Sequence, residues 1–87
     1  MRKFTIEKGY LIFDQVFINK ELAYQVEEEN GTHKDTVKEG YYIFEVEELE
    51  GFATYEEMIN VPCNYSRFFE TYEEALQDAK EEELDLV

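Results

Sequence analysis

The apolar positions of the first eighteen residues fall mostly on a two-residue period. Phe4 and Ile6 alternate with Thr5 and Glu7, and residues 10–13 and 16–18 are apolar runs of β-forming types. Residues 3–18 therefore predict strand. Gly9 predicts a bulge or tight turn within it, and Asp14-Gln15 a bend.

Residues 19–31 carry two periods at once. Leu22, Tyr24 and Val26 alternate with Glu21, Ala23 and Gln25, the pattern of a strand. Ile18, Leu22 and Val26 also stand at i, i+4 and i+8, the pattern of a helix with Asn19 as its N-cap and Gly31 at its C-terminal end. The alternation tips the expectation to a strand. Asn30-Gly31 then opens a polar loop over 32–36 that ends near Gly40. Residues 41–48 predict the clearest strand, with Tyr42, Phe44 and Val46 on one face and Tyr41, Ile43, Glu45 and Glu47 on the other.

The second half contains a short echo. Residues 52–59 and 69–76 each place a Phe before Thr-Tyr-Glu-Glu and two apolar residues, and each holds a capping box, Thr54 with Glu57 and Thr71 with Glu74. Two helix starts using one good solution explain this, since a solenoid needs at least three copies. Pro62 limits the first helix to a short one. The second is expected from Tyr72 to about Glu83, with Tyr72, Ala75, Leu76 and Ala79 as its apolar stripe. Glu81, Glu82 and Glu83 lie at the end where acids are unfavourable, so that end is expected to fray. Residues 65–69 predict one more short strand.

Strands first and the best helix last imply an α+β fold: a small antiparallel sheet of three to four strands, the C-terminal helix packed on one face, and a short second helix. The expected core is Phe4, Ile6, Leu11, Phe13, Phe17, Tyr42, Phe44, Val46, Phe68, Leu76 and Ala79.

Composition bounds this picture. Eighty-seven residues make one domain, 1–87. The area scalings bury ~64% of the unfolded chain's surface, enough for one modest core. Seven Phe and seven Tyr mark a folding chain, because an acidic disordered tail lacks such aromatics. No apolar run approaches the ~18 residues of a membrane span. No signal peptide is expected, because Glu7 and Lys8 break the N-terminal apolar positions. A single cysteine, Cys63, cannot form an internal disulfide and suggests a reducing cytoplasm.

Charge narrows the partners. Twenty-two acids against eight Lys and Arg leave a net charge of −14. Residues 1–20 are mildly basic, with Arg2, Lys3, Lys8 and Lys20 against Glu7 and Asp14, and the rest is strongly acidic. Such a field repels nucleic acid and anionic lipid, so no direct nucleic-acid or membrane role is expected.

Chemistry finds little support. His33 and Cys63 are single, and no third group suggests itself to orient them as a nucleophile pair. Zinc needs three or four His, Cys or carboxylate ligands, and one His with one Cys argues against a structural zinc site. No segment matches a calcium loop, and the adjacent acids Glu27-Glu28-Glu29 lack the alternation of one. There is no glycine-rich phosphate cradle and no nucleophile elbow. The reading is of a protein that is not an enzyme, with no catalytic residues, no metal site and no cofactor.

What remains is collective. Glu45, Glu47, Glu48 and Glu50 form the densest acidic run of a strand-like segment, and Glu56 and Glu57 continue it on the first helix. With Tyr41 and Tyr55 they are the candidate partner-binding residues. In size, charge and aromatic content the chain resembles the small acidic proteins of phages and mobile elements that mimic DNA and block restriction or CRISPR nucleases. The resemblance implies an anti-defence inhibitor whose carboxylates fill a basic nucleic-acid-binding groove and release its counterions. The alternative is a small protein–protein interaction or structural module with an unrelated partner, acidic for solubility alone.

Overall fold

The computed structural model describes residues 2–31, 36–47 and 61–87. Five strands, β1 (Phe4–Ile12), β2 (Gln15–Phe17), β3 (Lys38–Glu45), β4 (Val61–Pro62) and β5 (Phe68–Phe69), form one antiparallel sheet in the order β4-β2-β1-β3-β5. Two helices, α1 (Lys20–Glu29) and α2 (Tyr72–Glu81), and one 3-10 turn (Tyr65–Arg67) accompany the sheet, and residues 46–47, at the end of the strand expected over 41–48, are helical and not extended. The fold is α+β, with five strands where three to four were expected. β4 has two residues, too short for any periodicity to announce it, and the strand expected over 65–69 narrows to β5, residues 65–67 forming the 3-10 turn before it. Pro62 sits on β4, an edge strand, the position where a missing N–H is tolerated.

β1 and β2 form a two-residue hairpin. Ile12 pairs with Gln15, which leaves Phe13 and Asp14 as the turn. Both take positive φ, 49° and 62°, the type I′ geometry that matches strand twist. This overturns the placement of Phe13 in the core: it is 52% exposed. The turn is held from outside, since the Cys63 N–H donates to the Asp14 carbonyl at 2.9 Å and the Tyr65 hydroxyl donates to the Asp14 carboxylate.

Gly9 makes no bulge. The β1–β3 register runs unbroken from Phe4↔Glu45 to Leu11↔Lys38, and Gly9 faces Gly40. A Cβ on Gly40 would stand 2.5 Å from the Phe69 carbonyl oxygen and 2.8 Å from two Phe68 ring atoms. Gly40 is there because β5 and the Phe68 ring come close to the strand backbone, whereas a Cβ on Gly9 would meet the Val16 Cγ1 methyl at 3.0 Å and the Tyr42 Cβ at 3.1 Å.

Residues 20–29 are helical, not extended. Asn19 caps the helix by accepting the Leu22 N–H at 3.0 Å, and Gly31, at φ 64°, follows its C-terminal end. The alternation misled because the most buried positions are Ala23 and Glu27, an i, i+4 pair of which one is a carboxylate. Glu27 accepts the N–H groups of Thr36 at 2.9 Å and Val37 at 3.0 Å, tying α1 to the approach to β3.

Both faces of the sheet carry buried side chains. One face holds Tyr10, Ile12 and Phe17 in a cluster with Ala23 of α1, and Phe4 and Ile43 in a cluster with Ala75 and Ala79 of α2. The other holds Val16, Tyr42, Phe44 and Val61, with Leu11 and Phe68 packed alongside. Of the expected core, Phe4, Phe17, Tyr42, Phe44 and Ala79 are buried. Ile6, Leu11, Val46, Phe68 and Leu76 are half-buried. The expected short helix after Thr54 lies outside the described residues.

Candidate functional site

The charge of the chain is displayed most plainly on α2. Thr71 caps it, accepting the Glu74 N–H on Oγ1 at 3.2 Å and donating to Glu74 Oε1 at 3.1 Å. Ala75 and Ala79 turn its inner face to the sheet, so Glu73, Glu74, Glu81 and Glu82 are left exposed on the rest of its circumference. Glu73 and Glu81 stand two i, i+4 steps apart, a rise of about 12 Å at 1.5 Å per residue. Glu70, Glu83 and Asp85 extend the exposed acids beyond the helix ends, and Lys80 is the one base on α2.

The C-terminal end of α2 is closed rather than frayed. Glu83 takes φ 56°, its N–H donates to the Lys80 carbonyl at 3.2 Å, and the Leu84 N–H reaches back to the Ala79 carbonyl at 2.9 Å. These are the two bonds of a Schellman motif, here with a glutamate where glycine is usual. Leu84 and Leu86 pack with Phe4 and Ile43. The tail then joins the sheet: the Phe4 N–H donates to the Asp85 carbonyl at 2.8 Å and the Val87 N–H to the Phe4 carbonyl at 3.0 Å. The apolar residues of the tail outweigh the unfavourable acids at the helix end. Leu84-Asp85-Leu86 carried that signal in the sequence, as a short alternation.

The strand acids are arranged differently from expectation. β3 ends at Glu45, so Glu45 and Glu47 do not share a strand face. Glu45 is held by Arg2, whose Nε donates to Oε1 at 2.8 Å and whose Nη2 donates to Oε2 at 3.0 Å. That hydrogen-bonded guanidinium keeps the Glu45 carboxyl below the usual carboxylate range. Glu47 is exposed. Tyr41 is half-buried and meets the Tyr72 ring edge to face, centroids 5.9 Å apart. Glu48, Glu50, Glu56, Glu57 and Tyr55 lie outside the described residues, as does His33.

Other titratable groups are engaged locally. The Tyr24 hydroxyl donates to Glu39 Oε2 at 2.6 Å, which pushes the phenol up to about 12 and the carboxyl down. Burial pushes the Cys63 thiol up, away from the thiolate a nucleophile needs. Glu82, hydrogen-bonded to Asp78 one turn away, pushes the Asp78 carboxyl up, partly offset by Arg67. Among the described residues no group of three or more His, Cys, Asp or Glu is arranged to hold a metal ion. No described helix is long and apolar enough to cross a membrane.

One surface feature escaped the sequence reading. Phe13, 52% exposed, and Tyr65, 60% exposed, flank Asp14 at the β1–β2 turn, joined through the Tyr65–Asp14 hydrogen bond. An aromatic at a position of positive φ costs backbone strain, which makes its exposure more notable than that of an ordinary surface aromatic.

The chain matches no protein-family model, and no curated protein and no solved structure shows significant similarity to it.

Proposed function

We propose that this chain is a small non-enzymatic acidic protein that occupies the basic nucleic-acid-binding groove of another protein, as a nucleic-acid mimic inhibitor of the anti-defence type carried by phages or mobile elements, acting in the cytoplasm. The observation that carries the reading is the exposed acidic surface of α2. Glu73, Glu74 and Glu81 stand on a helix closed at both ends and anchored by Ala75 and Ala79, with Glu82, partly answered by Arg67, at its C-cap. Charges already fixed in place lose little freedom on binding. Facing Lys and Arg they speed association, and their contribution falls with salt. The centre of the proposed surface moves from the strand acids to α2, because Arg2 already occupies Glu45.

The test is affinity capture from a host lysate at low and high salt, followed by charge reversal on the recovered partner. A nuclease or other nucleic-acid enzyme retained at low salt and lost at high salt supports the mimic. Glu73→Lys with Glu81→Lys should then weaken binding about fivefold or more, from exposed pairs worth ~0.2–1 kcal/mol each. Reversal of the exposed pair Glu28 and Glu29 on α1 is the control. Equal effects at both helices would mean that diffuse net charge is acting, and would remove α2 from the account.

A second reading has its own observation. The Phe13–Tyr65 pair presents two exposed aromatics on a braced turn, the kind of anchor that dominates protein–protein interfaces. A partner retained at high salt and lost with Phe13→Ala identifies that interaction module and defeats the mimic.

A further inference from the structure

The central strand of the sheet has an open edge along part of its length. Successive residues of β1 turn their backbone N–H and C=O groups to opposite neighbours. The Lys3 carbonyl accepts the Val46 N–H at 2.8 Å, so the odd-numbered residues face β3. The even-numbered ones face the other way. Phe4 meets the C-terminal tail there: its N–H donates to the Asp85 carbonyl at 2.8 Å and its carbonyl accepts the Val87 N–H at 3.0 Å. Tyr10 and Ile12 meet Phe17 and Gln15 of β2. Ile6 and Lys8 lie between these, and among the described residues their N–H and C=O groups on that side have no backbone partner. From Phe4 to Tyr10 is about 20 Å at 3.4 Å per residue, and the tail and β2 take the two ends, which leaves room for about three extended residues.

Donors and acceptors alternating along a strand edge are answered by another extended backbone. The side chains say which kind. Ile6 is half-buried on the face covered by the helices, packed against the cluster of Phe4 and Ile43. Glu7 and Lys8 are exposed, Glu7 on the opposite face, where the Thr5 hydroxyl donates to its Oε2 at 2.7 Å. A second copy using all four backbone groups would be paired about Glu7. That register sets carboxylate against carboxylate at the closest cross-strand position, between chains of net charge −14 each. Like charges there repel. A cation in the same position meets Glu7 favourably, and an aliphatic residue beside Ile6 widens the apolar cluster.

We propose that the Ile6–Lys8 edge of β1 docks an extended segment of a partner protein by antiparallel strand addition, with a Lys or Arg opposite Glu7 and an aliphatic residue opposite Ile6. Pairings of two residues already hold β4 and β5 on this sheet, so a short added strand matches what the fold itself uses. The site consists of backbone groups and Glu7, none of them on α2. It therefore stands or falls apart from the acidic surface of that helix.

The probe is a capped peptide of sequence valine-threonine-arginine-valine-threonine, titrated into the full chain at about 0.5 M sodium chloride, where a screening length of about 4 Å suppresses diffuse attraction to the acidic surface. Hydrogen exchange of the Ile6 and Lys8 amides is followed. Both should exchange rapidly in the free chain and slow together as the peptide saturates the edge. A peptide with glutamate in place of its arginine should bind about fivefold more weakly. Glu7→Lys should reverse that preference, whereas Glu28→Lys, an equal change of net charge on α1, should leave it as it was. Lys8→Pro removes one donor from the open edge and keeps the bonds to β3, so it should weaken binding about tenfold. If Lys8→Pro fails to fold, the charge exchange at Glu7 decides. Three results would overturn the proposal: amides already protected in the free chain, protection that grows with the concentration of the chain alone and so marks a second copy, or a peptide preference unaltered by Glu7→Lys.

Discussion

The carboxylate of Glu27 accepts the backbone N–H of Val37 at 3.0 Å, and with it that of Thr36, so a side chain of α1 shapes the entry to β3. Glu27 is 8% exposed, whereas the other acids among the described residues are overwhelmingly at the surface. Glu27→Ala should cost about 2 kcal/mol or more, because it strands two backbone donors at ~1–3 kcal/mol for each one left buried and unpaired. Glu27→Gln keeps an acceptor and should cost less. Urea unfolding at equal m-values measures both. Equal losses would show that a neutral amide oxygen cannot replace the carboxylate, so that its charge and not its acceptor position is what counts.

Glu83 occupies the left-handed position that closes α2. Glu83→Gly should raise stability by up to about 1 kcal/mol, the relief of left-handed strain less the added entropy of the unfolded chain. Glu83→Ala removes the charge and keeps the strain. A difference between the two variants in thermal unfolding isolates the backbone contribution, and no difference would refute it.

The β1–β2 turn makes a similar demand of Phe13. Asparagine tolerates positive φ, and Phe13 is half in solvent already, so Phe13→Asn should leave stability unchanged or raise it by about 0.5–1 kcal/mol. Phe13→Val, branched at Cβ, should destabilise. If Phe13→Asn lowers the melting temperature by several degrees, the ring is contributing packing that its exposure does not suggest.

Acid should first help the fold and then harm it. Glu82 raises the Asp78 pKa in the folded chain, so the native state binds that proton more tightly than the unfolded state does. Stability from this pair therefore increases as pH falls through the raised value, above the 3.8 of a free Asp. Glu39 and Glu45 behave oppositely. Their folded pKa values lie below 4.5, so what they contribute is present above 4.5 and is lost as pH falls through the lowered values. Melting temperature should rise as pH falls from neutrality through the raised Asp78 pKa, and drop once pH falls below 4.5 through the lowered values of Glu39 and Glu45. Asp78→Asn should flatten the rise, and an unaltered rise would assign it to net charge alone.

The long strands were legible because each alternates over enough residues to show its period: β1 and β3 were expected close to where they lie. Length also explains what was missed, since the two residues of β4 have no period at all, and why the strand expected over 65–69 was drawn longer than the two residues of β5. The helix at α1 was obscured by Glu27, a carboxylate at the centre of the buried stripe, which any polarity pattern reads as solvent. Phe13 was placed in the core because an apolar residue in an apolar run looks buried, while the hairpin register that expels it depends on pairing across strands. Acidity was legible as a total, but its distribution was not. Which acid is answered by a base depends on a contact such as Arg2 with Glu45, between the two ends of a pair of strands and forty-three positions apart in sequence.

The approach of β5 to Gly40 has a consequence for how this sequence can change over generations. A side chain on Gly40 meets both the Phe68 ring and the Phe69 carbonyl oxygen, the latter at 2.5 Å. Shrinking Phe68 would clear the ring but not the carbonyl, because every residue at position 69 brings that oxygen with it. No single compensating replacement therefore reopens position 40, and a lineage could leave glycine there only after β5 itself had been shifted or lost. Gly9 is less restricted, since its nearest obstacles are side-chain atoms, the Val16 Cγ1 methyl at 3.0 Å, which another substitution can remove, and the Tyr42 Cβ at 3.1 Å, which has to give by a few tenths of an ångström. Two facing glycines, alike in composition, thus differ in the mutational routes open to them: one is held by neighbouring side chains and the other by the chain's own backbone.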